Sequence, residues 1–496
     1  MTCLAVDLGS SSCKAALLRE GCFVSRVVRR PHNLLAGGGP EPETALAVVE
    51  GSVRELLAQE LPTGGPSSPS PDALVLSSFM AFCFLDRGGS RVAPCAAYSD
   101  RSAAGAVEGL TDVAGGLESF VTITGRRPAA ELAAAHLVSL RDLDPDSFSR
   151  LFRLSSLKDL LLEALTGRWG MDLVHANYTG LLEVNHTRPW AELLRELRLP
   201  EELVGALQEP GEFAGSLTGE AARRLGLPAG LPVVRGSIDG TTAMYGAGVL
   251  LPRTATLVCG TTDVIMSRTE RSPGKSTGDG PGVSIPGLTT NSALGGGYLT
   301  GGSTALSGGL IGYLEQLFGV KQALIEGETG EVGPGAGGLR ILPGIAGERA
   351  PFWLPEAAGA VRGWRREHRR EHFFRAAMEA TAFRVARIAR EMMSAGASFS
   401  TVRLAGGGSG SPLWNAIRAA ALAAEGVQET VAASAGEATL IGSAIFCDIA
   451  LSGADPLEST RRWAPAAATV EPLGGEEQAA LAREYDELFK ELEEGA

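Results

Sequence analysis

The stretch Asp7-Leu8-Gly9-Ser10-Ser11-Ser12-Cys13-Lys14 lies between two apolar runs, residues 2–6 and 15–18. The flanks carry β-forming residues and the centre mostly small ones, so the pattern predicts strand, tight turn, strand. The theme returns where Gly260-Thr261-Thr262-Asp263 separates the runs 256–259 and 264–266. Gly9 and Gly260 stand 251 positions apart in a chain of 496 residues. A strand–turn–strand unit repeated at half length predicts two related halves. Each turn exposes backbone N–H groups and hydroxyls toward one point, an arrangement that grips phosphate oxygens. A plain hairpin turn accounts for either one taken singly, and the pairing favours the phosphate reading.

Working outward, strands are expected at residues 22–28 and 72–77, and helices at 42–60, 146–166 and within 189–206. Gly64-Gly65-Pro66-Ser67-Ser68-Pro69-Ser70-Pro71 reads as a loop. The run from Leu231 to Ile238 is a strand that ends in a glycine-flanked acid, Asp239-Gly240. The second half predicts a glycine-rich loop at 327–338, a strong helix at 371–395 and a strand at 401–404. That strand runs into Ala405-Gly406-Gly407-Gly408-Ser409-Gly410-Ser411. Helices follow through Trp414 and Ala421, from near 436–439, and over 475–496. At 496 residues the chain exceeds what one core supports, so two domains are expected.

Forty-four Lys plus Arg against fifty-seven Asp plus Glu give a net charge of −13 with no long basic run. That charge repels phosphate backbones and argues against a nucleic-acid partner. No apolar stretch reaches the roughly 18 residues of a membrane span, and the opening residues do not read as a signal peptide. The seven cysteines lack metal-type spacing, and Cys3, Cys13 and Cys22 read as buried free thiols. A soluble, reduced, cytoplasmic protein is the expectation.

Asp7 and Asp239 each end an apolar strand at a small-residue turn. One such carboxylate can orient hydrated Mg²⁺ while the other accepts the proton of an attacking hydroxyl. A turn-forming Asp is the plainer alternative for each. Gly406-Gly407-Gly408 before a helix permits close approach of a ring or ribose, or a tight packing turn. Two motifs are set aside. Gly274-Lys275-Ser276 resembles the end of a Walker A loop, but Thr269 stands where its first glycine belongs. His368-Arg369-Arg370-Glu371-His372 has an inverted zinc-protease spacing, but its arginines and missing third ligand favour a solvated helix entry.

Taken together, these residues resemble the FGGY carbohydrate kinases of the actin-like ATPase superfamily, over nearly the whole chain. Residues 7–14 resemble the family's first phosphate motif, and Lys14 is one of only five lysines. Ser155-Ser156-Leu157-Lys158-Asp159-Leu160 is similar to its Lys-Asp helix start, and Gly236-Ser237-Ile238-Asp239-Gly240 to its catalytic segment. Gly260-Thr261-Thr262 is similar to the second phosphate motif. Gly347-Glu348-Arg349-Ala350-Pro351, Gly359-Ala360-Val361-Arg362-Gly363 and the stretch 372–379 resemble a further hallmark, with Trp364 where an aliphatic residue is usual. Gly406 to Trp414 resembles the adenosine motif.

The resemblance implies an α/β fold of two actin-like, ribonuclease H-like domains, residues 1–242 and 243–496, with a central interdomain cleft. It implies ATP- and Mg²⁺-dependent phosphorylation of a small sugar or polyol. Asp239 would be the general base and Asp7 a Mg²⁺ partner, with Asp239 also beside the metal and the substrate. Gly9, Ser10, Ser11, Lys14, Gly260, Thr261, Gly308, Gly407 and Ser411 would hold the nucleotide. A homodimer is allowed for.

The substrate loop departs from the family. Ser78-Phe79-Met80-Ala81 stands where xylulose kinases carry Gln-Met-His and glycerol kinases Gln-Arg-Glu. Tyr98-Ser99-Asp100-Arg101 stands where a Trp commonly packs on the substrate. Met80 keeps the middle of the xylulose-kinase triplet, so a ketopentose such as xylulose is expected, with gluconate or glycerol and other polyols next. Met80, Tyr98, Asp100 and Arg101 are the candidate substrate contacts. A non-kinase actin-like ATPase, or a catalytically weak sugar-binding protein, is the alternative of another class.

Overall fold

The computed structural model describes residues 1–36, 38–60, 70–270, 287–433, 437–474 and 476–494. Two compact units form, Met1–Gly246 with Thr290–Gly297 and Ala438–Ala464, and Ala247–Thr289 with Tyr298–Glu437 and Pro465–Ala496. Both are α/β. No helix among the described residues is long and apolar enough to cross a membrane.

The strand Thr2–Leu8 centres the first unit, and all seven of its residues are buried. A strand covered on both faces reads as a continuous apolar run, which is why its pattern does not alternate. It pairs antiparallel with Ser12–Arg19, setting Asp7 opposite Lys14, and parallel with Ala73–Ser78. Ala73–Ser78 pairs in turn, parallel, with Pro232–Ile238. Val49, Val53 and Leu56 of the helix Pro42–Glu60 cluster with Leu4, Val6 and Leu8, joined by Leu161 and Leu165 of Leu157–Thr166. Each such side chain, once buried, contributes about 1.5–3 kcal/mol. The helix Ala438–Ser452 also packs on this sheet, and there Gly442 is required, because a Cβ would lie 2.0 Å from the Thr242 carbonyl oxygen.

The second unit repeats the plan. Thr254–Cys259 pairs antiparallel with Asp263–Thr269 and parallel with Thr401–Ala405, which pairs parallel with Glu429–Ala433. The long helix Arg370–Ser394 brings Val385, Ile388, Ala389 and Met392 to a core with Leu257, Ile265 and Leu404. The half-length repeat read in the sequence is therefore a repeat of sheet topology.

Some expected elements differ. The helix expected over 146–166 is broken by the strand Arg153–Ser156, which pairs antiparallel with Ala81–Leu85. Ser156 then caps the next helix by accepting the Asp159 N–H at 3.0 Å. The strand expected over 22–28 is two pieces, Cys22–Phe23 and Val28–Pro31, because the Ser25 hydroxyl takes the Leu17 N–H at 2.8 Å. The glycine-rich loop expected at 327–338 overlaps the helix Glu326–Glu331, and beyond it Gly335, Ala336 and Gly337 turn with positive φ. Cys3 and Cys13 are buried, but Cys22 is exposed. Positions 64–69 of the expected loop and Gly274-Lys275-Ser276 lie outside the described residues.

Candidate active site

Parallel strands put their carboxyl ends on one edge, and ligands of α/β sheets bind outside that edge. In the first unit Asp7 pairs with Ser77 and Ile238 with Ser78, so Asp7, the loop through Met80, and Asp239 emerge together. Asp239 opens the helix Asp239–Ala247 and accepts the Gly240 N–H at 2.7 Å. Lys14 Nζ lies 3.4 Å from Asp7 Oδ2 across the hairpin, while Asp7 Oδ1 is buried without a hydrogen-bond partner. Burial pushes the Asp7 carboxyl up to about 7, with Lys14 pulling it down and Asp239 pushing it up. Asp239 is likewise raised by burial, against the pull of Gly240, Lys14 and His175. Two carboxylates that are costly to keep charged face one lysine, a setting that a divalent cation or a proton would relieve.

The turn between these strands is held by its own backbone. Gly9 N–H donates to Ser12 O at 3.1 Å, and His32 reaches the Gly9 carbonyl at 2.9 Å. Ser10 and Ser11 make no side-chain hydrogen bond among the described residues. Their hydroxyls are available to a ligand.

In the second unit Gly260 N–H donates to Thr262 O at 3.1 Å, a close echo of the first turn. Behind it, Gly308 N–H donates to Gly260 O at 3.0 Å and Gly309 N–H to Thr261 O at 2.9 Å, so Gly308–Phe318 starts directly on the turn. A Cβ on Gly308 would lie 2.4 Å from Gly260 O. Thr261 is exposed. Gly406, with φ +88°, would bring a Cβ within 2.6 Å of Cys259 O, whereas Gly407 faces open space. The requirement for glycine therefore falls on Gly406 and Gly308. Ser411 is committed elsewhere: it caps Pro412–Ala424 by accepting the Trp414 N–H and donates to Glu326 Oε1 at 2.8 Å. Its hydroxyl orders the helix start.

The substrate candidates separate. Met80 is buried in an apolar core with Phe82 and Phe84. Tyr98 is half-exposed, its N–H on the Met80 carbonyl at 3.0 Å. Asp100 and Arg101, with Ser99, Ser102 and His136, line a pocket of about 600 Å³. Burial raises the Asp100 carboxyl, but the Ser102 backbone and hydroxyl outweigh it and leave the group below its ordinary value. Arg101 pairs with Glu131 at 2.5 Å.

Several polar groups take partners that no local sequence signal names. Asp263 and Arg418 form a fully buried pair at 3.0 Å, and Arg418 also donates to Gly408 O at 3.0 Å, tying the Gly260 turn to the glycine loop. Asp159, Asp172 and His175 cluster like metal ligands, but Lys158 and Arg235 already occupy the carboxylates. His368 and His372 are spent on backbone: His368 contacts Gly337 O at 3.0 Å and accepts the Arg365 N–H, and His372 accepts the Arg369 N–H at 3.3 Å.

Known proteins resemble this chain in sequence and in fold. The model for the N-terminal domain of the FGGY family of carbohydrate kinases matches residues 2–246, and that for the C-terminal domain matches 255–451. The L-fuculokinase of Escherichia coli strain K12 is 28% identical over 288 residues, 57% of this chain and 58% of that enzyme. The chain thus aligns with less than two thirds of that relative's length. The xylulose kinase of Streptomyces rubiginosus is 26% identical over 94% of this chain and 91% of its own. The solved xylulose kinase of Rhodospirillum rubrum shares the fold at a TM-score of 0.85, with 24% identity over 99% of each chain. With both domain models matched in order across most of its length, this chain belongs to the FGGY family of carbohydrate kinases.

Proposed function

We propose that the protein is a cytoplasmic, ATP- and Mg²⁺-dependent kinase that phosphorylates a hydroxyl of a small sugar or polyol, a ketopentose such as xylulose first among them. The observation that carries this reading is the trio Asp7, Lys14 and Asp239 at the carboxyl edge of the first unit's strands. The orphaned, buried Asp7 Oδ1 fits a hard divalent cation, for which carboxylate oxygen is the preferred donor. Asp7 would hold Mg²⁺, with Asp239 nearby. Bound there, the ion supplies charge neutralisation on the phosphate oxygens.

The rest is done by the chain. The amides of the Gly9 turn, the hydroxyls of Ser10 and Ser11, and Lys14 bind phosphate oxygens. In the second unit Gly260, Thr261 and Gly308 would do the same, with Gly407 leaving room for the nucleotide and Ser411 ordering the helix that flanks it. Asp239 accepts the proton of the acceptor hydroxyl as that oxygen attacks the γ-phosphorus and ADP leaves. An ordinary Asp is a weak base near neutrality, and the upward push of burial on Asp239 brings it closer to the useful range. Tyr98, Asp100 and Arg101 are the proposed polar surroundings of the sugar, and the similarity to xylulose kinases favours a pentose.

The test is ADP release over ketopentoses, aldonates and C3–C5 polyols at fixed Mg²⁺·ATP. Preference for D-xylulose or D-ribulose is expected. Preference for gluconate or glycerol would overturn the pentose choice and keep the kinase. ADP release that survives Asp239→Ala unchanged would overturn the base assignment.

A further inference from the structure

The strand that delivers Asp239 breaks register with its neighbour just before reaching it. Val233, Val234 and Arg235 pair with Leu74, Val75 and Leu76, but the next paired residue, Ile238, faces Ser78. Three steps along one strand oppose two along the other, an irregularity of the kind that re-aims side chains beside active sites. Gly236 makes it feasible, since a Cβ there would lie 2.1 Å from Leu76 O and 2.5 Å from Ser77 Oγ. Across Gly236 and Ser237, before Ile238 rejoins Ser78, the regular ladder does not set the chain's direction, and side chains contribute to it.

Ser237 supplies the contact. Its hydroxyl donates to Asp172 Oδ1 at 2.8 Å, and both residues are fully buried. Asp172 is itself fixed from several sides. Lys158 Nζ lies 3.0 Å and His175 Nδ1 2.5 Å from Oδ2, while the N–H groups of Val174 and His175 reach Oδ1 at 3.2 and 3.3 Å. Two residues earlier on the strand, Arg235 donates to the Asp159 carboxylate and to Gly170 O at 2.9 Å. Asp159 also takes Lys158 Nζ at 2.7 Å and the Ser156 hydroxyl at 2.6 Å. Two cations thus balance two carboxylates in a site closed to water. Such networks add little net stability over apolar packing, yet they admit one arrangement and punish departures from it. Geometry, more than stability, accounts for one placed here.

We propose that Ser237, locked onto Asp172, is a positioning residue that aims Asp239 at the acceptor hydroxyl. The proposal rests on the reading of Asp239 as general base. Deleting the hydroxyl frees the irregular strand end two residues before the carboxylate, and a misplacement of about 1 Å costs on the order of 10²-fold in rate.

The experiment compares full-length wild type, Ser237→Ala, Ser237→Thr and Asp239→Asn with Mg²⁺·ATP and D-xylulose, or the acceptor from the panel above that turns over fastest. Melting temperature is measured on each. Ser237→Ala is expected to lower kcat by about tenfold to a hundredfold with both KM values within about threefold. Ser237→Thr, which restores the hydroxyl, is expected to recover most of the rate. The proposal is overturned if Ser237→Ala keeps wild-type kcat while Asp239→Asn is inactive. It is equally overturned if kcat, KM and melting temperature of Ser237→Ala fall together and Ser237→Thr does not recover kcat, since that is a plain structural role. Asp239→Asn at the wild-type rate overturns the base reading itself, a result distinct from the other two.

Discussion

Replacing Arg418 by Met removes one charge from the buried pair that ties the Gly260 turn to the glycine loop. Asp263 and Arg418 are both fully buried and 3.0 Å apart, and the guanidinium also lies 3.9 Å from the centre of the Trp414 ring. Met fills similar volume, so the cavity term is small and the cost falls on Asp263. Breaking a buried pair from one side costs about 3–5 kcal/mol. Protonation caps that cost. Carrying Asp263 neutral at pH 7, against its ordinary value of 3.8, costs about 4 kcal/mol, and at pH 5 only about 1.5 kcal/mol. Burial already holds the wild-type carboxyl above 3.8 despite Arg418, so part of this cost is present before the substitution. The sign follows. A carboxyl raised in the folded state costs nothing below its unfolded value, and the cost grows as pH climbs to the folded one. Arg418→Met should therefore destabilise by about 3 kcal/mol at pH 7 and by less than half that at pH 5. Loss of the Gly408 hydrogen bond adds about 1 kcal/mol at both. Urea unfolding of wild type and variant at the two pH values measures this, and Asp263→Asn in the Arg418→Met background should regain most of the pH-dependent part. A penalty equal at pH 5 and pH 7 would refute the reasoning, because an unpaired carboxylate could not then be its source.

Other outcomes follow from the same geometry. Asp239→Asn should lower kcat by about 10²–10⁴-fold in the coupled ADP assay while leaving melting temperature unchanged or higher, since it removes a carboxylate raised by burial. Activity near wild type would end its role. Asp7→Asn should raise the Mg²⁺ concentration needed for half-maximal turnover, read from a Mg²⁺ titration at fixed ATP; an unmoved midpoint would show that Asp7 is no metal partner. Gly308→Ala forces a Cβ against the Gly260 carbonyl, so calorimetry should find ATP affinity weakened at least about tenfold, a loss of roughly 1.4 kcal/mol.

Asp7, Gly9 to Ser11, Gly260 and Thr261 were legible as candidates because strand, small residues and strand leave a signature within about ten adjacent positions, and Asp239 because it ends an apolar strand at a glycine. The break of the 146–166 segment was not. Arg153–Ser156 becomes a strand by pairing with Ala81–Leu85, some seventy residues away, and local propensity carries no trace of that partner. Ser411 looked like a nucleotide contact because it follows the glycines, yet the structure spends its hydroxyl on a cap and on Glu326, 85 positions away.

By itself, then, the sequence determined most strand and helix segments, the repeat at half length and the acids that end strands at small-residue turns. These are matters of periodicity and spacing along the chain. Tertiary structure alone decided the partners of the buried acids: Arg418 for Asp263 at a separation of 155 residues, and Ser237 for Asp172 at 65. It also decided that Asp7 would be buried with one oxygen unsatisfied. The reason is physical. The environment of a buried charge depends on which distant groups folding brings within about 3 Å, and electrostatics in a low-dielectric interior makes those few neighbours dominate.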